Sequence, residues 1–339
     1  MHSHHPHHVR SGISAPVNVL GAGIAGTWQA LLFAKAGCQV AVYERGDASM
    51  IQSTSHWAGG MLAPFCESET AEPVITRLGL RSLDLWREVL PQTRFNGSLV
   101  VAHSRDRADF ERFARLTDGY KRIGREEIAA LEPALDGRFS EALFFPQEGH
   151  VDPRQVLPAL HDVLRSAGVP IAFNVQARDP DGVVIDCRGL AARDSCPELR
   201  GVKGEIVILE TDEVVLSRPV RLIHPRWSIY IVPRAGNRFL IGATSIECED
   251  VRVSVRSALE LLTAAYSVHP AFGEARIVEI GAGLRPAFPD NRPRVAVDDK
   301  RITVNGLYRH DFLLAPALAE ATVAHVLRGS TDAEVVRCM

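Results

Sequence analysis

Gly21, Gly23 and Gly26, with Ile24 and Ala25 between the last two, are the chain's clearest chemical signal. They follow an apolar run, Val17-Asn18-Val19-Leu20, and open a helix-like segment over residues 27–36. A second apolar run, Val40-Ala41-Val42-Tyr43, then ends at Glu44. Strand, tight turn and helix in this order form a grip for a dinucleotide. Gly21 permits the turn, Gly23 lets a diphosphate reach the backbone, and Gly26 lets the helix lie close on the strand. The free N–H groups of the helix start carry partial positive charge that suits the diphosphate. Glu44 falls about 20 residues after the glycines, where a carboxylate accepts hydrogen bonds from ribose hydroxyls. Arg45 beside it faintly suggests a 2′-phosphate, which that carboxylate would repel.

Three later blocks add chemistry. Ser53-Thr54-Ser55 precede His56-Trp57-Ala58-Gly59-Gly60-Met61. Hydroxyls followed by small residues suit a loop that bonds a pyrophosphate and runs along a flat ring, although a tight backbone bend accounts for the small residues equally well. Arg285, in Gly283-Leu284-Arg285-Pro286, offers the forked guanidinium that best matches a substrate carboxylate. A surface or structural arginine is the competing reading. Leu307, Tyr308, Arg309, His310, Asp311, Phe312 and Leu313 open the last helix. Aimed at a flavin, that helix N-terminus would stabilise the charge collecting on the reduced ring; a plain helix cap explains it too. Tyr230 alternates with Ile229 and Ile231, so it either lines a cavity or sits half-buried on a sheet.

The elements that must position these residues read in two styles. Helical spacing marks residues 70–89, 105–116 and 155–166, with a short helix before Pro133, and a strand is expected over 98–102. Val183-Val184-Ile185-Asp186-Cys187 reads as a buried parallel strand ending at Gly189. From about 204 to 283 the pattern turns to alternating strands, at 206–209, 214–216, 229–232, 239–241 and 275–280, interrupted by one helix over 253–266. The end reverts to the first style, with a strand at 302–304 and a helix from about 313 to 327 that holds Pro316 in its first turn. The expected fold is α/β: a Rossmann-like nucleotide domain with an inserted, mainly antiparallel (α+β) second domain. The nucleotide domain takes residues 17–72, 146–200 and 283–330, and the substrate domain 73–145 and 201–282. A ligand site between them follows.

Bulk properties narrow the classes. The chain has 339 residues, and 38 Lys+Arg against 41 Asp+Glu leave a net charge of −3, which favours neither nucleic acid nor an anionic membrane surface. No apolar run is long enough to span a bilayer and no signal-peptide pattern is present, so a soluble cytoplasmic protein is expected. Six cysteines without CxxC spacing read as free thiols, and no metal site is expected. The histidine-rich start, within residues 1–16, reads as a disordered leader.

Together the blocks resemble the D-amino-acid oxidase superfamily and, within it, the flavin-dependent glycine oxidases of thiamine biosynthesis, the ThiO type. The residues that carry the resemblance run through nearly the whole chain after Pro16. They are the glycine fingerprint with Glu44-Arg45, AGGMLAPFCE over 58–67, Gly149-His150-Val151-Asp152-Pro153, Lys203-Gly204-Glu205, YIVPR over 230–234, Gly242-Ala243-Thr244, GLRP over 283–286 and RxxxLLAP over 309–316. The resemblance implies non-covalent FAD in the nucleotide domain. The family's carboxylate arginine falls on Arg285, its pocket tyrosine on Tyr230 and its second pocket arginine on Arg309. Ser245 stands where a glycine oxidase carries methionine, which leaves side-chain tolerance open. Flavin contacts carry over to Ser53, Thr54, Gly59, Gly60, Met61 and the backbone of residues 307–313, and adenosine contacts to Val175 and Gly189.

The implied reaction is oxidative deamination of glycine, or of small amines such as sarcosine, to glyoxylate, ammonia and hydrogen peroxide. The imine on the way is usable in thiazole synthesis, so a hand-off to that machinery is implied. Oxygen and a small amino acid are the expected partners, with a homo-oligomer left open. A related D-amino-acid or N-methylamine oxidase or dehydrogenase shares every motif. An NAD(P)-dependent dehydrogenase, a non-catalytic nucleotide-binding subunit and a tRNA-modifying flavoprotein are more distant readings, the last disfavoured by the absence of a basic tract.

Overall fold

The structure, a computed structural model, describes residues 15–224 and 228–338. All but Ala15 and Pro16 of the leader expected over residues 1–16 lies outside the described residues. In chain order, β1 (Val17–Leu20), α1 (Ile24–Lys35) and β2 (Val40–Tyr43) come first, followed by β3 (Met61–Leu62), α2 (Pro64–Glu67) and α3 (Pro73–Val89). Next are β4 (Ser98–Ala102), α4 (Arg107–Leu116), β5 (Lys121–Gly124), α5 (Arg125–Leu131) and β6 (Glu141–Phe145). Then come β7 (Gly149–His150), α6 (Pro153–Ser166), β8 (Ile171–Ala172) and β9 (Val183–Asp186). The alternating stretch holds β10 (Arg200–Glu210), β11 (Val220–Ile223), β12 (Ile229–Arg234), β13 (Arg238–Gly242), α7 (Val255–Val268) and β14 (Arg276–Ala287). The chain closes with β15 (Arg294–Asp298), β16 (Arg301–Asn305), α8 (Asp311–Arg328) and β17 (Val336–Cys338).

The first apolar run and its glycines build the strand–turn–helix that their spacing predicts. All four residues of β1 are buried, and β1 pairs in parallel with β2 on one side and β9 on the other. Gly21 adopts a φ of +97°, which L side chains rarely take, and a Cβ there would stand 2.7 Å from the Cys187 carbonyl oxygen. A Cβ on Gly26 would fall 1.9 Å from the Gly21 carbonyl oxygen, so α1 can cross β1 only with glycine at that position. The sheet around β1 has seven strands in the order β17-β15-β16-β9-β1-β2-β8, parallel throughout except between β15 and β16.

The second sheet has eight strands, β14-β10-β13-β12-β11-β4-β6-β5. It is antiparallel apart from the β11–β4 pair. One expected strand is absent. Val214-Val215-Leu216 alternates buried, exposed, buried, but the backbone N–H of Ser217 beyond it is taken by the Glu132 carboxylate at 3.0 Å, and pairing begins only at β11. Alternating burial in a loop imitates a strand when no neighbouring strand is there to form a ladder.

Two further expectations shift. The pattern places the span from residue 73 in the substrate domain, whereas Val74, Ile75, Leu78, Leu83 and Trp86 of α3 pack into the core under the seven-stranded sheet, together with α1 and α8. The amphipathic stripe of α3 was legible, but not the partner that would cover it. α8 begins at Asp311, so Pro316 lies beyond the first turn. Proline has no N–H for the carbonyl four residues back, at Phe312, and that oxygen instead accepts the indole N–H of Trp86 at 2.9 Å. The adjacent Ala317 N–H is held by Ser82 Oγ at 3.2 Å. Helix α3 thus repairs the gap that proline leaves in α8.

Candidate active site

Hydrogen bonds draw the separate sequence blocks together. Ser55 Oγ accepts from the Ile24 N–H at 3.1 Å, and Thr54 Oγ1 donates to the Leu284 carbonyl at 2.8 Å. The Tyr308 N–H donates to the Pro286 carbonyl at 3.0 Å. Arg234, last residue of YIVPR, donates from Nη2 to the Gly59 carbonyl at 2.6 Å and from Nη1 to the Val151 carbonyl at 2.9 Å, which pins the 59–60 bend. The glycine fingerprint, hydroxyl loop, GLRP strand and last helix therefore meet at one place.

Two cavities adjoin there. The larger, of about 1510 Å³, runs over the C-terminal ends of β1 and β2 and is lined by Gly21, Gly23, Ile24, Ala25, Glu44 and Arg45, then by Ser53 and Ser55. Val175 and Gly189 lie at its wall, as does Leu307. The smaller, of about 600 Å³, lies against the second sheet and holds Gly59, Gly60 and Met61 together with Tyr230, Ser245, Arg285 and Arg309. Thr54, Trp57, Gly283, Tyr308 and Asp311 line both. His310, Phe312 and Leu313 are buried and line neither. Gly26 serves the packing of α1 on β1 rather than the cavity wall.

The larger cavity fits a dinucleotide. Gly23, the N-cap of α1, has no side chain to occupy the helix start, and a Cβ there would meet only Ser55 Oγ at 3.2 Å and Ser53 Oγ at 3.3 Å. A diphosphate so placed would find helix N–H groups and two hydroxyls. Glu44 stands beside it, its carboxylate accepting from the Ala22 N–H at 2.9 Å and the Gly46 N–H at 2.8 Å. These bonds hold the acid toward the cavity and brace the turn.

Charge organises the smaller cavity. Arg285 donates from Nη1 to the Thr244 carbonyl at 2.9 Å. Burial, and then the neighbouring Arg309, press its guanidinium pKa below the usual value, a sign that the site favours an anion. Arg309 Nε lies 3.2 Å from Glu67 Oε2. Burial works against the Glu67 charge, but Arg309, His310 and Arg221 hold that carboxyl below its usual range. His310 Nδ1 is 3.3 Å from the same oxygen, and burial pushes its pKa down to about 4, so its imidazole is neutral at pH 7. Burial pushes Asp311 up to about 6.

Tyr230 is held from the neighbouring strand. Arg221 is its register partner across β11–β12 and donates from Nη1 to the phenol oxygen at 3.0 Å and from Nη2 to Glu69 Oε2 at 2.8 Å. Burial raises the tyrosine's pKa, so the phenol keeps its proton. With its oxygen already accepting from Arg221, the O–H is left to donate into the pocket. Ser245 Oγ meets the Tyr308 hydroxyl at 2.9 Å, a bridge between the loop after β13 and the start of α8.

Sequence reasoning missed Glu67, Glu69, Arg221 and Arg234 as working parts of this region. Arg221 left a signal: it is a charge inside the apolar run Val220-Arg221-Leu222-Ile223, and buried charges are rare unless paired. Its partners on β12 and after α2 could not be read without the register.

A model of the family described as FAD dependent oxidoreductase matches residues 17–325. A Rhizobium etli protein, provisionally named thiamine biosynthesis oxidoreductase ThiO, is 50% identical over 91% of this chain and 95% of its own length. Glycine oxidase of Geobacillus kaustophilus is 27% identical, and its crystal structure superposes with a TM-score of 0.79 over 94% of this chain and 96% of the other. L-Proline dehydrogenase from P. horikoshii has the same fold at 18% identity, with a TM-score of 0.79 over 94% of each chain. The fingerprint, the two adjoining cavities and these matches agree: the chain belongs to the FAD-dependent oxidoreductase family, with FAD as its cofactor.

Proposed function

We propose that this chain oxidises a small amino acid at its α-amine, with glycine or sarcosine preferred, and yields an imine that hydrolyses to glyoxylate and ammonia or methylamine. The observation that carries the reading is Arg285, a cavity-facing guanidinium fixed through one nitrogen and with donors left for a carboxylate. The names of the Rhizobium and Geobacillus relatives support an amino acid of this kind and a link to thiamine synthesis.

FAD, when bound, supplies the two-electron acceptor and passes the electrons to oxygen as hydrogen peroxide. The diphosphate would lie on Gly21, Gly23, Ile24 and Ala25 with Ser53 and Ser55, Gly26 letting the helix start come close, and Glu44 would hold the ribose, with Arg45, Val175 and Gly189 beside it. The ring would lie along Thr54, Gly59, Gly60 and Met61, against the backbone of residues 307–313. Arg285 clamps the substrate carboxylate and Tyr230 donates its phenol proton to it, with Arg309 beyond. This turns the α-carbon toward the boundary shared by both cavities. The amine must lose its proton to supply electrons, and no strong base is needed for hydride transfer. Ser245 and Tyr308 bound the far side, so the room for a nitrogen or side-chain substituent depends on them. Delivery of the imine to a thiazole-forming reaction is part of the same reading, as is work in the cytoplasm; among the described residues no helix is long and apolar enough to cross a membrane.

The test is steady-state peroxide and glyoxylate production from glycine, sarcosine, small D-amino acids and methylamine. Glycine or sarcosine should give the highest kcat/KM. Equal turnover of methylamine, which lacks a carboxylate, would overturn the assignment of Arg285. Turnover with a dye but not with oxygen would make the protein a dehydrogenase.

A further inference from the structure

Two motifs noted in the sequence, Lys203-Gly204-Glu205 and Gly242-Ala243-Thr244, take no part in the nucleotide grip and have no substrate contact of their own assigned, yet both reach Arg285. They face each other across β10 and the segment after β13. Glu205 is fully buried and gathers polar groups from three places. Thr244 Oγ1 lies 3.2 Å from Glu205 Oε2, the Ser254 N–H donates to Oε1 at 3.0 Å, and Lys203 Nζ pairs with Oε1 at 3.1 Å. The Glu205 N–H returns a bond to Thr244 Oγ1 at 2.9 Å, and Lys203 Nζ reaches the Arg252 carbonyl at 3.0 Å. A buried ion pair adds little to stability in itself, but it fixes geometry strongly when every donor and acceptor is matched. What it fixes here is Thr244, whose carbonyl oxygen accepts Arg285 Nη1. On the other side the guanidinium lies flat on Gly204: a Cβ there would come within 2.2 Å of Arg285 Nη2.

We infer that Glu205, Thr244 and Gly204 are positioning residues that set the Arg285 guanidinium for its carboxylate. The Glu205–Thr244 bonds fix the carbonyl that orients one edge of the fork, and the bare face of Gly204 sets its depth. This assignment deepens the proposed function and rests on Arg285 being the carboxylate anchor. It also accounts for a charged pair in the buried middle of β10, Lys203 and Glu205 lying among Val202, Ile206 and Val207.

The test uses the FAD-loaded enzyme and glycolate, a carboxylate without an amine, whose binding is read from the change in flavin absorbance. Thr244→Val keeps the shape but removes the hydroxyl. It should weaken glycolate binding and raise KM for glycine by about 3- to 30-fold, the value of a buried hydrogen bond, while kcat stays within about threefold. Thr244→Ser restores the hydroxyl and should bind within about twofold of wild type. Gly204→Ala, approaching from the opposite face, should weaken glycolate binding at least as much, with flavin content unchanged. Glycolate bound normally by both Thr244→Val and Gly204→Ala would overturn the positioning role even if Arg285→Ala abolishes binding. So would equal weakening of glycolate and methylamine turnover, the mark of general loosening. Should Thr244→Val not fold, Gly204→Ala alone decides by the same readout. Normal glycolate binding by Arg285→Ala would remove the anchor itself, and the inference with it.

Discussion

The two cavities are built by opposite means. The nucleotide cavity is shaped by backbone: a turn at Gly21, a bare helix start at Gly23 and an approach of α1 to β1 that depends on Gly26. Its diphosphate grip, Gly21 to Ser55, lies within one stretch of chain. The amine pocket is shaped by long side chains from β11, β12, β14, the end of α2 and the lead into α8, with Arg221 and Arg309 paired to carboxylates and Arg285 held by the Thr244 carbonyl. Backbone cradles are local and nearly all-or-none, whereas charged side-chain pockets are assembled at long range and fail in graded steps.

Substitutions at five positions test that contrast. Gly26→Val should have the largest effect, because the new Cβ meets backbone rather than a flexible side chain, and backbone cannot yield. No soluble, FAD-bearing protein is expected. Gly23→Ala should fold, since only the Ser53 and Ser55 hydroxyls stand near, yet lose FAD affinity as its methyl enters the diphosphate space. Purified flavin content and circular dichroism separate the two, and a Gly26→Val protein that retains FAD would end the distinction.

Arg285→Ala belongs to the graded class. Losing one partner of a hydrogen-bonded charge pair in a dry site costs on the order of 2–5 kcal/mol, so kcat/KM for glycine should fall by roughly 30-fold to several thousand-fold. Flavin content and Tm should hold. Arg285→Lys should recover only part of the activity, since a point charge does not reproduce the fork. Wild-type kcat/KM in Arg285→Ala would return this residue to a structural role.

The fourth concerns pH. His310 is buried with its pKa near 4, below the 6.5 it has when unfolded. Between pH 6.5 and about 4 the unfolded imidazole takes a proton and the folded one does not. Stability is therefore present above pH 6.5 and lost as the pH falls toward 4. The loss from this group is on the order of 2–3 kcal/mol. His310→Gln should flatten that acid limb in urea unfolding at pH 7.5 and pH 4.5. An unchanged difference between the two pH values would show that His310 titrates normally.

The smallest effect is expected outside both cavities. Arg81 joins α3 to α8 through a two-bond pair with Glu320, at 2.9 Å and 2.7 Å, but both side chains are about two-fifths exposed. Arg81→Ala should cost less than about 1 kcal/mol and leave kcat/KM unchanged. A loss comparable with that of Arg285→Ala would mean that the α3–α8 contact governs the pocket.

By itself the sequence determined whatever depends on neighbours along the chain. The fingerprint, Glu44, the parallel strand before Gly189 and the bounds of β4 and α6 follow from spacing, because a turn, a helix start and a period-two or period-3.6 stripe are local properties. The motifs also marked Tyr230 and Arg285. Tertiary structure alone decided which stripes meet and which charges pair. α3 carries the same stripe whichever core it covers, and packing against α8 put it under the first sheet. Val214-Val215-Leu216 alternates like a strand but has no ladder, while Arg221 finds Tyr230 only through the β11–β12 register. Trp86 answers the carbonyl that Pro316 leaves free more than 200 residues away, |i−j| being 226 for that bond. Hydrogen bonds and ion pairs of this kind depend on distance in space, and a linear spacing rule carries no information about it.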